Sequence, residues 1–271
     1  MRLINARPAA GTARLLAAIP FALVLLAYLI GSAVRLAENP ADKLLPAFST
    51  FADAIDRMAF SADPRTGDIL MWVDTTASLG RLGAALTISV LIGLVVGIVV
   101  GLLPYFRAGL GSFVAVVSMV PPLALLPILF ITLGLGETSK VALIVIGVAP
   151  CLIRDLALRV SDMPPQQLIK AQTLGASTWQ IVVRVVLPQI LPRLIDSLRL
   201  QLGPAWLFLI AAEAIASESG LGYRIFLVRR YMSMDIILPY VAWITLLAWA
   251  MDHALKLLNR KCFPWSEGAV R

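Results

Sequence analysis

The chain of 271 residues is 59% hydrophobic and 14% charged, whereas a soluble domain carries about 25% charged and about 45–50% apolar residues. That displacement toward a bilayer excludes a soluble enzyme, a disordered tail and a disulfide scaffold. Two cysteines, Cys151 and Cys262, are too few for a stapled framework, and the single histidine, His253, excludes a His–His metal site within one chain. The net charge of +7 would suit nucleic acid, but the basic residues lie between apolar runs rather than along one soluble face, so no nucleic-acid partner is expected.

Six stretches have the roughly 20 apolar residues that a membrane helix needs: 15–36, 82–103, 110–133, 139–158, 194–216 and 236–258. The expectation is an all-α integral membrane protein with six transmembrane helices. It divides into a cytoplasmic leader (1–14), a first span (15–36), an extracytoplasmic helical loop (37–80), a five-helix core (81–260) and a cytoplasmic tail (261–271). Arg2, Arg7 and Arg14 before the first run resemble a signal peptide, but its length and the lack of a small-residue cleavage site before Glu38 favour a retained span. With the N-terminus inside, 14 Lys and Arg residues fall on the cytoplasmic side and 9 outside, which places both termini in the cytoplasm.

In the acidic interval 38–80, Phe48, Phe51, Ile55, Met58 and Ala59 follow helical spacing, ahead of the turn Asp63-Pro64-Arg65-Thr66-Gly67. A helix over 47–60 and a plain loop on the membrane surface are both compatible with it. In the second span, Gly93, Gly97 and Gly101 form one smooth face for close helix packing. Pro121, Pro122 and Pro127 break the third span, either to line a pathway as broken transporter helices do or as a structural kink. Glu213 lies deep in the fifth span, where an ionisable group is costly and marks a candidate site. It would face a cationic cargo, gate by pairing with Arg224 or Arg229, or be a structural carboxylate bonded to neighbouring helices. Asp252 and His253, at consecutive positions, point to different helix faces and form no relay, so interfacial anchoring is the expected role. Asp155 and Asp196 have arginines nearby and read as interfacial pairs.

The segment 161–192 is the most informative. Pro164 and Pro165 suit a first helical turn, and Gly175 suits the left-handed residue that ends a helix. Ser177-Thr178-Trp179-Gln180 is a capping box that starts a second helix, which Pro188 is expected to stop. The product is a helical hairpin between two spans, either a connector lying on the bilayer or a knob for a separate cytoplasmic subunit.

The run Lys170-Ala171-Gln172-Thr173-Leu174-Gly175-Ala176-Ser177, followed by Val186-Leu187-Pro188 and Pro192, resembles the EAA loop of ABC importer membrane subunits. Ile169 stands where the motif has Glu and Lys170 where it has its first Ala, so the motif's acidic side chain is missing. Gly203-Pro204-Ala205-Trp206, Ala212-Glu213, Ser219-Gly220-Leu221-Gly222-Tyr223 and Phe263-Pro264-Trp265 are similar to the nitrate/sulfonate/taurine branch. Within it, the chain most resembles urea-carboxylase-associated permeases, whose cargo would be guanidine or urea. The resemblance implies a type I importer permease fold and a bacterial inner-membrane location. It makes Lys170, Ala171, Leu174, Gly175, Ala176, Ser177, Gln180 and Pro188 the surface that couples to an ATPase dimer. Glu213, Pro121, Pro122 and Arg224 are expected pathway or gate residues from their place in the spans, and the expected partners are a secreted solute-binding protein and a second copy of the chain. ATP and magnesium would belong to the ATPase; no cofactor, metal or catalytic residue is expected in this chain. It contains no G-x-x-x-x-G-K-[ST], and Gly134–Lys140 has the wrong spacing for one; H-E-x-x-H and G-x-S-x-G are also absent. A stand-alone secondary transporter is the alternative, but it would need no coupling hairpin and usually shows an inverted repeat.

Overall fold

A computed structural model describes residues 9–39, 42–64 and 66–266. Arg2 and Arg7 of the expected leader, Arg65 of the expected turn and tail residues 267–271 lie outside the described residues. Eleven α-helices occur among the described residues, and no strand. They are α1 (Ala10–Glu38), α2 (Phe48–Ile55), α3 (Leu70–Leu102), α4 (Pro104–Val117), α5 (Leu126–Leu133), α6 (Glu137–Ser161), α7 (Pro165–Thr173), α8 (Thr178–Ile181), α9 (Leu187–Ala216), α10 (Leu221–Arg229) and α11 (Met234–Cys262). The chain divides into two compact units, one of residues 1–69 with 228–239, the other of residues 70–227 with 240–271.

In the first unit, the stretch after α1 folds back along it. The Tyr28 hydroxyl donates to the Pro46 carbonyl (2.7 Å) and the Ser32 hydroxyl to that of Leu45 (3.0 Å). Tyr28 meets Phe48 edge-on, with ring centroids 5.6 Å apart. Arg35 pairs with Asp42, whose carboxylate also accepts the Leu44 N–H (3.0 Å). The interval therefore holds a helix, α2, extended by a π-turn over Asp56–Phe60.

The second unit is built on α3 and α6. A Cβ added to Gly93, Gly97 or Gly101 would stand 2.9, 2.8 or 2.6 Å from the Cβ atoms of Leu152, Leu156 and Val160. The glycine face is thus occupied within the chain, by α6, and is not open to a second copy. Leu143, Ile144, Val148 and Leu152 of α6 and Leu209 of α9 are fully buried in the same core. At one end, Ile98, Leu156, Val160, Ile181, Val186 and Ile190 form a cluster that roots the 165–186 segment on α3 and α6.

Among the described residues, four helices are long and apolar enough to cross a membrane: α1, α3, α6 and α11. A fifth crossing forms if α4 and the Pro122–Leu133 helical segment, bent by 82°, count as one broken span. The break falls at Pro121 and Pro122, where a short 3-10 turn over Pro122–Leu125 replaces the α-helix. Two expected boundaries shift. α3 begins at Leu70 rather than near 82, because Asp74, Ser78 and Arg81 are buried by partners within the fold. Pro188 does not stop a helix: α8 passes through a π-turn over Val182–Val186 directly into α9. A wider turn tolerates a residue with no N–H to donate, and proline fits a first helical turn.

Candidate functional site

Two polar features stand out in this apolar chain. The first is the hairpin of α7 and α8. Pro165 begins α7 at a position where no N–H is needed. Gly175 has φ of 81°, a left-handed conformation that costs an ordinary residue about 1–2 kcal/mol. Ala176 N–H donates to Ala171 O (3.0 Å) and Gly175 N–H to Gln172 O (2.9 Å), the paired bonds of a Schellman C-cap. Gln180 N–H then donates to Ser177 Oγ (3.3 Å), and Ser177 N–H to Gln180 Oε1 (2.8 Å), closing the capping box. Leu174 is 79% exposed and Trp179 73%, with Ile169 also exposed beside Lys170. The turn is locally rigid and displays large apolar side chains.

The second feature contains Glu213. Asp74, Ser78 and Arg81 recur at helical spacing on one face of α3, and all three are buried. Arg81 Nη1 donates to Glu213 Oε1 (2.7 Å) and to the Ser219 carbonyl (2.8 Å). The Ser78 hydroxyl donates to the Glu213 carboxylate (2.8 Å), and the other oxygen accepts the Gly222 N–H (2.9 Å). Asp74 accepts the Gly220 N–H (2.9 Å), Arg224 Nε (2.8 Å) and the Tyr240 hydroxyl (3.2 Å). On its outer side, Arg81 Nη2 donates to Glu137 (2.8 Å), which also takes Lys140 Nζ (2.9 Å). Three carboxylates thus meet three cations, and the α9–α10 turn is stitched to α3. Gly220 has φ of 128°, and a Cβ there would sit 2.5 Å from the Glu213 carboxyl carbon. The Ser219–Tyr223 sequence therefore has a local reason: its backbone must lie directly on two carboxylates.

Glu213 accordingly pairs with Arg81, not with Arg224, which binds Asp74. Sequence pattern does not single out Arg81, Asp74, Ser78, Glu137 or Tyr240; the signal it carries is the spacing of 74, 78 and 81 just ahead of an apolar run. Pro121 and Pro122 lie at the broken span and the glycines on α3 against α6, so the site residues expected from sequence occupy separate places. Asp252 bonds Arg199 (2.7 Å) and His253 stacks on Trp249. Asp155 pairs with Arg159 and accepts the Ser197 hydroxyl, while Asp196 lies near Arg199 and accepts from Asn259. Among the described residues, no group of metal-ligating side chains comes together.

Residues 89–264 match the family described as binding-protein-dependent transport system inner membrane component. The taurine transport system permease protein TauC of Escherichia coli (strain K12) is 38% identical, with 73% of this chain and 72% of TauC covered. The bicarbonate transport system permease protein CmpB of Synechocystis sp. (strain PCC 6803) is 28% identical, with 74% and 77% covered. The putative aliphatic sulfonates transport permease protein SsuC of Bacillus subtilis (strain 168) is also 28% identical, with 70% and 67% covered. A chain of the MetNI methionine ABC transporter, solved in inward-facing conformations, shares the fold at a TM-score of 0.59 and 19% identity, with 70% of this chain and 96% of that chain covered. With the family match spanning well over half its length, the chain belongs to the binding-protein-dependent transport system inner membrane components and is a permease subunit of an ABC importer.

Proposed function

We propose that the chain forms half of a translocation pathway, pairing with a second copy of itself, and that a separate ATPase dimer binding ATP and magnesium drives it. A secreted binding protein delivers the solute. In this reading α9 is a further crossing, giving six with the broken span, and both termini are cytoplasmic. Its charges are compatible with that: Glu213 is neutralised by Arg81, and Arg199 by Asp252. The cargo is a small polar solute of the kind named for the relatives, a taurine-like sulfonate or bicarbonate. Guanidinium, which an uncompensated Glu213 would have favoured, loses that support because the carboxylate is fully buried and ion-paired.

The observation that carries this reading is the rigid, exposed α7–α8 hairpin, with Leu174 and Trp179 held outward on a Schellman-capped turn. Lys170 and Ser177 are exposed on the same knob, whereas Ala171 and Ala176 are half-buried against the cluster that roots it. Gln180 Oε1 is engaged in the cap, so its role is to shape the turn. Pro188 lies at the foot of α9, beyond the knob. The test is Gly175→Val. A branched side chain at φ of 81° distorts the turn although nothing blocks its Cβ. The variant is expected to insert normally while failing to retain the cognate ATPase subunit on co-purification. Retention at wild-type stoichiometry with normal uptake would overturn the coupling role. A binding screen on the secreted partner with taurine, other sulfonates, bicarbonate and guanidine identifies the cargo.

A further inference from the structure

The side chains of Arg81 and Lys140 are only 7% and 4% exposed, yet the carboxylate between them, Glu137, is 62% exposed. Arg81 Nη2 and Lys140 Nζ both donate to Glu137 Oε1 (2.8 and 2.9 Å), and Arg81 Nε pairs with its other oxygen. Beside this group lies a cavity of about 510 Å³, whose lining includes Arg81, Glu137, Lys140 and Glu218. It sits at the start of α3 and α6 and the end of α9, whereas the α7–α8 hairpin is rooted on Ile98, Leu156 and Val160, further along α3 and α6. At 1.5 Å per residue, Arg81 and Ile98 are about 25 Å apart along α3. The cavity and the hairpin therefore occupy opposite ends of the same helices.

A carboxylate that fixed two buried cations permanently would be enclosed with them, as Glu213 is. Glu137 instead stands at the first position of α6 with its side chain in water, where solvent competes for it and an ion pair holds weakly. Turning it outward bares Arg81 Nε and Nη2 together with Lys140 Nζ, a planar fork beside a point donor. Such a fork matches the paired oxygens of a carboxylate or a sulfonate, and the α6 N-terminus favours negative charge at the same place. Charge sets the valence. With Glu137 withdrawn, two cations face one buried carboxylate, Glu213, so a single negative charge restores balance and two would exceed it. Glu218, on the same lining, is exposed and screened by water.

We propose that Glu137 is a placeholder on a binding site for a small monoanion with carboxylate or sulfonate oxygens, which displaces it to reach Arg81 and Lys140. The site narrows the solute class of the importer function proposed above and rests on that function. A solute delivered at the end opposite the coupling hairpin meets this cavity before it crosses.

The test uses the permease–ATPase complex in phosphatidylcholine nanodiscs, with methanesulfonate as the probe against chloride at matched ionic strength. A saturable rise in Tm of about 2–4 °C is expected with methanesulfonate, and a smaller one with sulfate, a dianion. Glu137→Gln should lower the half-saturating methanesulfonate concentration about five- to tenfold, because a neutral amide competes less well than a carboxylate for the two cations. A purely structural Glu137 would give no such gain. Lys140→Gln should abolish the rise and Lys140→Arg should keep it. An unchanged or higher half-saturating concentration in Glu137→Gln would overturn the placeholder role, and a rise that survives in Lys140→Gln would overturn the site. If Lys140→Gln does not fold, Glu137→Gln decides alone. Sulfate matching methanesulfonate would overturn the choice of a monoanion. Retention of the ATPase reports on the importer function separately: a complex that stays assembled yet shows no rise overturns this site and leaves that function standing.

Discussion

The Glu213 cluster and the α7–α8 hairpin hold polar groups under opposite conditions. Glu213, Asp74 and Ser78 are fully enclosed, and each carboxylate is answered by a cation and by backbone N–H groups of the α9–α10 turn. In the hairpin, Ser177 and Gln180 are exposed, and each side chain bonds the other residue's backbone. Enclosure makes the first region a fixed joint, because an unpaired charge in low dielectric is prohibitive. Exposure leaves the second able to meet a partner, as the proposed coupling role requires, because its local bonds hold shape without using up its outward side chains. An ionisable residue in a membrane span is thus no direct pointer to a transport path; its partners decide.

The sharpest challenge to this contrast is Arg81→Met. It leaves Glu213 buried without its cation, and breaking one side of a buried pair costs about 3–5 kcal/mol. A large fall in thermal midpoint is expected, with part of it recovered in Arg81→Met/Glu213→Leu, which removes both charges. A double variant as unstable as the single would show that the joint does not rest on charge balance. Gly97→Val comes next. Its Cβ would press on the Leu156 Cβ at 2.8 Å, an overpacking worth about 1–3 kcal/mol. The melt should drop, while ATPase retention per folded molecule stays normal.

Ser177→Ala should act only on the hairpin. Losing a helix cap costs about 0.5–2 kcal/mol, so proteolysis near residues 174–181 should quicken while the global midpoint holds. The smallest effect concerns Asp42. The Leu44 N–H first, and then Arg35, hold its carboxyl below the ordinary carboxylate range. A lowered pKa stabilises the fold-back of residues 42–47 above the unfolded value, and that contribution is lost as pH falls through the folded one. A carbon-13 titration should place the Asp42 midpoint below about 3.9, with Arg35→Gln returning it only part of the way.

Much of this was readable without coordinates, because it depends on neighbours in sequence. The Schellman turn at Gly175 and the Ser177–Gln180 box involve residues no more than five apart, and backbone geometry alone dictates them. The same holds for the break at Pro121 and Pro122, where two missing N–H groups stop an α-helix. The spacing of Gly93, Gly97 and Gly101 declared a close-packing face, but not that α6 would fill it. Pro188 deceived because a π-turn upstream absorbs its missing donor. Glu213 could be recognised as costly, yet its partners lie 132 and 135 residues away at Arg81 and Ser78. Only the folded chain brings them together, since a buried charge is satisfied by whichever opposite charge the packing of α3 against α9 delivers. Composition and local spacing therefore determined the membrane class, the hairpin and the broken span. The tertiary structure decided which charges neutralise one another, because pairing across helices follows from packing rather than from order along the chain.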